Sequence, residues 1–61
     1  MSIERMNVEG ILYEVDNRGG TDVDIWTVKK DRTRGRLLKR HGQVFMRVYG
    51  ALVCAAALLG D

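Results

Sequence analysis

Apolar and polar residues alternate through much of the first half of the chain. In Met6–Val15, the alternate residues from Ile11 onward place apolar side chains on one side of an extended backbone, and no clean helical stripe is present. Asp22–Lys30 alternates in the same way and is rich in β-branched residues, which strands favour. The pattern predicts two β-strands, near residues 6–15 and 22–30.

Two turns bound the second of these strands. Residues 16–21, Asp-Asn-Arg-Gly-Gly-Thr, place two glycines beside Asp and Asn, and glycine supplies the positive φ values that a reversal requires. This turn predicts a β-hairpin between the two strands. Asp31–Gly35, which is charged and ends in glycine, predicts a second turn.

The stretch after the second turn permits two interpretations. Arg36–Arg40 and Gln43–Tyr49 flank His41-Gly42, a two-residue connection ending in glycine that suits a tight hairpin. Alternatively, one helix runs from Gln43 to Leu59, because apolar residues recur there at four-residue intervals. These residues are Val44 and Phe45, Val48 and Tyr49, Leu52 and Val53, and Ala56. Aromatic and β-branched content favours a strand up to Tyr49, with Gly50 as the break before a helix.

The chain ends in a long uncharged stretch. Val48–Leu59 contains no charge, and from Ala51 the apolar side chains fall on every side of a helix, which predicts a helix buried all round. Its twelve residues would make about 18 Å of helix, short of the roughly 30 Å hydrocarbon core of a bilayer. A membrane anchor stays open as an alternative, because residues 43–60 contain a single charge, Arg47.

Together, these elements predict an α+β fold. It consists of a small antiparallel β-meander of three or four strands, followed by a short apolar C-terminal helix that covers one face or one open end of the sheet. Without proline, linkers or repeats, the 61 residues are expected to form a single domain over residues 1–61. The N-terminal residues do not resemble a signal peptide, so a cytoplasmic location is expected.

A domain of this size needs extra stabilisation, because it buries only about 60% of the surface of its unfolded chain. Cys54 and His41 are the only cysteine and histidine, so neither a disulfide nor a zinc site is expected, and Cys54 is expected to be buried. Association is the remaining route, as a homo-oligomer or with a larger protein partner. The predicted interface residues are Leu52, Val53, Leu58 and Leu59.

The charges are unevenly distributed along the chain. Residues 1–28 carry a net charge of −4 and residues 29–47 carry +7, although the whole chain carries only +2. Such a basic segment predicts a positive surface that follows phosphates by displacing their counterions. The predicted nucleic-acid-binding residues are Lys29, Lys30, Arg32, Arg34, Arg36, Lys39, Arg40 and Arg47. Trp26, Phe45 and Tyr49 are candidates for stacking on bases, but a role in the core is favoured for them.

Catalysis has little support in the sequence. Ser2 is the only serine, and His41 is expected in an exposed turn, so no Ser/His/Asp set is credible. Asp16, Asp22 and Asp24 surround the first turn, but their spacing matches no calcium loop, and such residues usually cap backbone groups. We therefore expect no enzyme, no metal and no cofactor.

Three functions follow, in order of preference. The first is a small non-enzymatic module that binds nucleic acid through residues 29–47 and oligomerises through its C-terminal helix. The second is a structural or inhibitory protein-interaction subunit of a larger assembly, for example a small viral protein, in which both charge poles contribute to docking. The third is a C-terminally membrane-anchored protein.

Overall fold

Four strands form one antiparallel sheet in chain order, and a helix follows them. The structure, a computed structural model, describes the backbone of residues 2–60 and the side chains of residues 2–56. Its elements are β1 (Ser2–Val8), β2 (Ile11–Asn17), β3 (Val23–Val28), β4 (Arg34–Leu37) and α1 (Gln43–Gly60). Each strand pairs with the next one along the chain. The predicted α+β layout, a meander followed by a C-terminal helix, is confirmed.

The single strand predicted over residues 6–15 is wrong, because two residues in its middle form a turn. Glu9 and Gly10 have φ values of 54° and 86°, and positive φ at both positions is the mark of a type I′ hairpin turn. The Asn7 side chain supports this turn by accepting a hydrogen bond from Gly10 N at 3.0 Å. The residues before the turn add an edge strand, β1, that the pattern did not predict.

The predicted hairpin between β2 and β3 is confirmed. Its turn is closed by backbone hydrogen bonds from Arg18 N to Asp22 O (2.9 Å) and from Asp22 N to Gly19 O (3.0 Å). Gly19 and Gly20 both have positive φ, as their position in the sequence indicated.

The second predicted turn also forms, two residues earlier than expected. Its backbone hydrogen bonds span residues 29–33 instead of Asp31–Gly35. Gly35 lies inside β4, and this strand ends at Leu37 instead of continuing to Arg40.

The strand predicted over Gln43–Tyr49 is wrong, because α1 begins at Gln43. A turn does form here, but over Lys39–Gly42 with Arg40 and His41 at its centre, and Gly42 N donates to Lys39 O at 2.9 Å. It leads into the helix and not into a hairpin strand. A Cβ at position 42 would lie 2.9 Å from the same carbonyl oxygen, so the turn requires glycine. The strand preference of aromatic and β-branched residues is overridden because one apolar face of the helix packs on the sheet.

The core lies between α1 and one face of the sheet. Val15 and Ile25 face each other across β2 and β3 at its centre and are fully buried. The buried apolar residues are Tyr13, Val15, Val23, Ile25, Leu38, Phe45 and Val48. Because successive strand residues point to opposite faces, the intervening residues form a second face, which we call the far face. The far face includes Arg5, Glu14, Asp16, Asp24, Trp26 and Arg34.

Over residues 43–56 of α1, only one side is buried in the single chain. Phe45 and Val48 pack in the core, whereas Met46 and Val53 are 48% and 50% exposed. Cys54 is exposed as well. The expectation of a helix buried all round is therefore wrong for residues 51–56 of the single chain, and so is that of a buried Cys54, whereas residues 57–59 lie outside the described side chains. Among the residues that the structure describes, no helix combines the length and the apolar character needed to cross a bilayer.

Candidate nucleic-acid interface

Five arginines pair with five carboxylates, most of them on the far face or beside the first turn, so these ten groups carry no net charge. The arginines are Arg5, Arg18, Arg34, Arg40 and Arg47, and the carboxylates are Glu9, Glu14, Asp16, Asp22 and Asp24. Every one of these carboxylates comes from the acidic first part of the sequence. Folding therefore brings part of the basic segment against the acidic segment of the same chain.

Glu14 is the most buried of these charged groups, with 6% of its surface exposed. Arg5 lies opposite Glu14 in the β1–β2 pairing and donates from Nε to Oε1 at 3.1 Å, and Arg34 donates from Nε to Oε2. The hydrogen bond from Arg34 is the main reason why the pKa of Glu14 is lowered, against a burial that would raise it. The Arg34 guanidinium also lies 5.1 Å from the centre of the Trp26 ring, in a cation–π contact.

Arginines also neutralise the aspartates near the first turn. Asp16 and Asp24 are directly opposite each other in the β2–β3 pairing, where like charges repel. Arg18 lies between them, donating to Asp16 at 3.1 Å and to Asp24 at 2.6 Å. A further hydrogen bond, from Arg40 at 2.5 Å, is the main cause of the lowered pKa of Asp24. The pKa of Asp22 is lowered mainly by its hydrogen bond with Arg18.

The remaining cations of the predicted site form a separate group. Within residues 2–56, the five that make no ion pair all lie between residues 29 and 39, and all are exposed. They are Lys29, Lys30, Arg32, Arg36 and Lys39, which we call the basic strip. The one carboxylate in this segment, Asp31, accepts hydrogen bonds from Thr33 N at 3.1 Å and from Thr33 Oγ1 at 2.6 Å. Five of the eight predicted residues are thus exposed and make no ion pair within residues 2–56, whereas Arg34, Arg40 and Arg47 are held in ion pairs.

Two contacts hold the backbone that carries the basic strip. Arg5 donates from Nη2 to the carbonyl oxygen of Arg32 at 2.9 Å, which ties the turn to β1. Arg36 N donates to Thr27 Oγ1 at 2.7 Å, beside an irregularity in the β3–β4 pairing. Gly35 is required there because a Cβ would overlap Thr27 Oγ1. The strip therefore projects from a segment that side-chain hydrogen bonds attach to the rest of the sheet.

A groove of about 390 Å³ lies between β4 and the start of α1. Arg36 and Lys39 of the basic strip line one side, and Val44 and Phe45 line the helix side. The residues that line the groove include no carboxylate, and the first turn of α1 contains no acidic residue. The groove therefore offers two cations to a negatively charged group such as a phosphate.

The predicted interface residues differ in exposure. Leu52 is half-buried and packs against the core, whereas Val53 is exposed. Leu58 and Leu59 lie outside the residues whose side chains are described. The role in the core that was favoured for Phe45 is confirmed.

Comparison of the chain with protein-family models, with curated proteins and with solved structures finds no match in any of the three. Support for a function therefore comes from the residues and geometry of this chain.

Proposed function

We propose that this protein is a small, non-enzymatic, cytoplasmic module that binds the phosphate backbone of nucleic acid through the basic strip. The observation that supports this function is the division of the cations into those paired with carboxylates and those without an ion pair. Arginines close to carboxylates are neutralised within the fold, whereas the five cations without an ion pair among residues 2–56 all lie between residues 29 and 39. Five like charges repel one another, so the fold gains no stability from this cluster. A phosphate backbone would supply the missing negative charge and release its condensed counterions.

The groove beside β4 would hold one phosphate of the nucleic acid in a defined position. Arg36 and Lys39 flank it, and Arg36 is held by the hydrogen bond of its own backbone to Thr27. One phosphate bound there would leave the cations of the 29–33 turn to contact its neighbours along the backbone.

The test compares two variants that remove the same charge from different places. Lys39→Gln removes a cation of the basic strip, and Arg47→Gln removes an arginine that is paired with Glu9 at 2.9 Å. Binding to a DNA duplex of about 20 base pairs is measured by fluorescence anisotropy at low salt, where phosphate contacts contribute most. We expect Lys39→Gln to weaken binding several-fold and Arg47→Gln to leave it nearly unchanged. Equal losses in both variants would exclude the strip as the site, and no binding by the wild type would exclude the function.

A second function, protein interaction through α1, is favoured by the exposed side of the helix. Met46, Gly50, Val53 and Cys54 are exposed at helical spacing on one side, which we call the outer helix face. A Cβ at Gly50 would meet nothing within 4 Å, so packing within the single chain does not explain a glycine in mid-helix. An apolar face of this kind suits self-association or docking on a larger protein.

Two substitutions in α1 separate this interface from the core. Val53→Asp changes an exposed residue, whereas Leu52→Asp also disturbs packing against the core. If the outer helix face mediates self-association, light scattering should show an oligomer for the wild type and a monomer for Val53→Asp, with unchanged circular dichroism. A wild-type protein that stays monomeric at high micromolar concentration would exclude self-association.

Gly50→Ala provides an independent check. In a single chain this substitution should raise the free energy of unfolding by about 0.5–1 kcal/mol, because glycine is a poor helix residue and the added methyl group has open space. If a partner helix packs closely at Gly50, the same substitution should instead weaken the oligomer. Dilution series of both proteins distinguish the two results.

A further inference from the structure

We propose that the basic strip recognises double-stranded nucleic acid in preference to single strands, because none of the tryptophan, tyrosine and phenylalanine rings offers an open face beside the strip on which bases could stack. This inference rests on the proposed function and specifies its ligand. It depends on the positions of the four tryptophan, tyrosine and phenylalanine residues of the chain. These are Tyr13, Trp26, Phe45 and Tyr49.

Three of the rings belong to the core side of the molecule. Tyr13 and Phe45 are buried core residues. Tyr49 is half-buried, packs against the core and stacks on Phe45 with ring centroids 6.1 Å apart and an interplanar angle of 18°. Its other neighbours include Ser2 and Val15, which lie on β1 and β2, and also His41 and Met46.

Phe45 lines the groove beside Arg36 and Lys39, but only 5% of its surface is exposed. The exposed imidazole of His41, close to Lys39 in the chain, meets Phe45 edge to face with ring centroids 5.8 Å apart. The strip therefore has no open phenyl or phenol ring beside it.

Trp26 is the aromatic residue nearest to the strip in the sheet, since it pairs with Leu37 of β4. The guanidinium of Arg34 lies over its ring, and its Nε1 atom is buried. Arg34 is held in this position by its hydrogen bond to Glu14, the most buried carboxylate of the far face. A base could stack on this face of the ring only if Arg34 left both Glu14 and Trp26.

The energetic consequence favours a duplex. Proteins that bind single strands gain about 1–3 kcal/mol for each base stacked on an aromatic ring, and this gain is missing when the rings are covered. What remains is the attraction between the five cations and phosphates. A duplex carries about one charge per 1.7 Å of its axis, roughly twice the density of one of its strands. A cationic surface without stacking rings therefore neutralises more phosphates on a duplex.

The experiment compares a duplex of about 20 base pairs with each of its two separated strands, at equal phosphate concentration and low salt. Affinity is measured by anisotropy of labelled DNA, and the emission of Trp26, the only tryptophan, reports stacking directly. We expect the duplex to bind at least about fivefold more tightly than either strand, with little quenching of Trp26 by either ligand.

Each other outcome has a distinct meaning. Equal or tighter binding of a single strand would overturn the preference for a duplex and leave the proposed function intact. Strong quenching of Trp26 would contradict the covered ring and would likewise overturn the inference. Failure of duplex and single strands alike to bind at low salt would remove the proposed function, and the inference with it.

Discussion

The far face of the sheet and the basic strip both carry several cations, but only the far face also carries carboxylates that neutralise them. On the far face, Glu14 accepts hydrogen bonds from two arginines, and Asp24 accepts them from two others. In the segment of the basic strip, residues 29–39, the one carboxylate, Asp31, accepts hydrogen bonds from Thr33. The difference shows that strand pairing, more than the charge balance of a local segment, decides which cations are available to a ligand.

The two regions also differ in residue type. Every ion pair within residues 2–56 is made by an arginine, whereas three of the five cations of the basic strip are lysines. A guanidinium can donate to several carboxylates in fixed directions, as Arg18 does with three aspartates. A lysine ammonium is a compact charge on a flexible stem. The far face is therefore suited to holding structure, and the strip is suited to following an irregular row of phosphates.

The largest expected effect on stability comes from breaking the centre of the far face. Hydrogen bonds to charged groups contribute about 1.5–3 kcal/mol each, but Arg5 and Arg34 are 35% and 40% exposed, which reduces this figure. Glu14→Gln should therefore lower the free energy of unfolding by about 1–2 kcal/mol, as measured by urea denaturation. Glu4→Gln is the control, because Glu4 is exposed and makes no ion pair within residues 2–56. Similar losses in the two variants would contradict the role assigned to Glu14.

Acid should weaken the far face progressively. The pKa values of Glu14, Asp22 and Asp24 are lowered by their arginine partners. Such carboxyl groups contribute stability that is complete above their unfolded pKa, about 4, and is lost as the pH falls through the lower folded pKa. The thermal transition should therefore be constant from about pH 7 to 5 and decline below about pH 4.

One substitution tests how much of this loss of stability in acid comes from Asp31, in the turn that carries the basic strip. The pKa of Asp31 is lowered as well, chiefly by its hydrogen bond with the Thr33 side chain. If the far face is the main cause, the transition temperature of Asp31→Asn should fall below about pH 4 nearly as much as that of the wild type. A transition temperature that does not change down to about pH 2 would show that the arginine pairs contribute nothing to stability.

The smallest expected effect on stability comes from the basic strip. Lys30→Gln removes an exposed cation without an ion pair, so thermal stability should stay the same or rise slightly as repulsion within the strip decreases. The measurement is the same urea denaturation, with Glu14→Gln as the comparison. A loss as large as that of Glu14→Gln would mean that the strip supports the fold, and the contrast between the two regions would fail.

The sequence predicted the β2–β3 hairpin well because its turn chemistry is local. Gly19 and Gly20 follow Asp and Asn directly, and few structures other than a reversal use this combination. The cue of two residues ending in glycine was less reliable. It marks a turn at both Glu9-Gly10 and His41-Gly42, but only the first joins two strands. After Gly42, the four-residue spacing of apolar residues indicated the helix, whereas the aromatic and β-branched content of the same residues favoured a strand.

The basic strip was predicted only as part of a larger set, because pairing between distant residues is not visible in local sequence. Arg34 and Glu14 are 20 positions apart, and Arg47 and Glu9 are 38 positions apart. Identifying these partners requires the strand register and the direction of α1. The Arg5–Glu14 pair was accessible from the sequence, since it follows directly once Glu9-Gly10 is taken as a hairpin turn.

The division between paired and unpaired cations is tested most directly by the salt dependence of duplex binding. Each neutralised phosphate contributes about −0.9 to the slope of log K against log salt concentration, so five cations allow a slope no steeper than about −4.5 and eight would allow about −7. Lys39→Gln should make the slope shallower by about 0.9, and Arg47→Gln should leave it unchanged. A wild-type slope steeper than about −4.5 that Arg47→Gln makes shallower would show that ion pairs of the fold open to bind phosphates, contrary to this division.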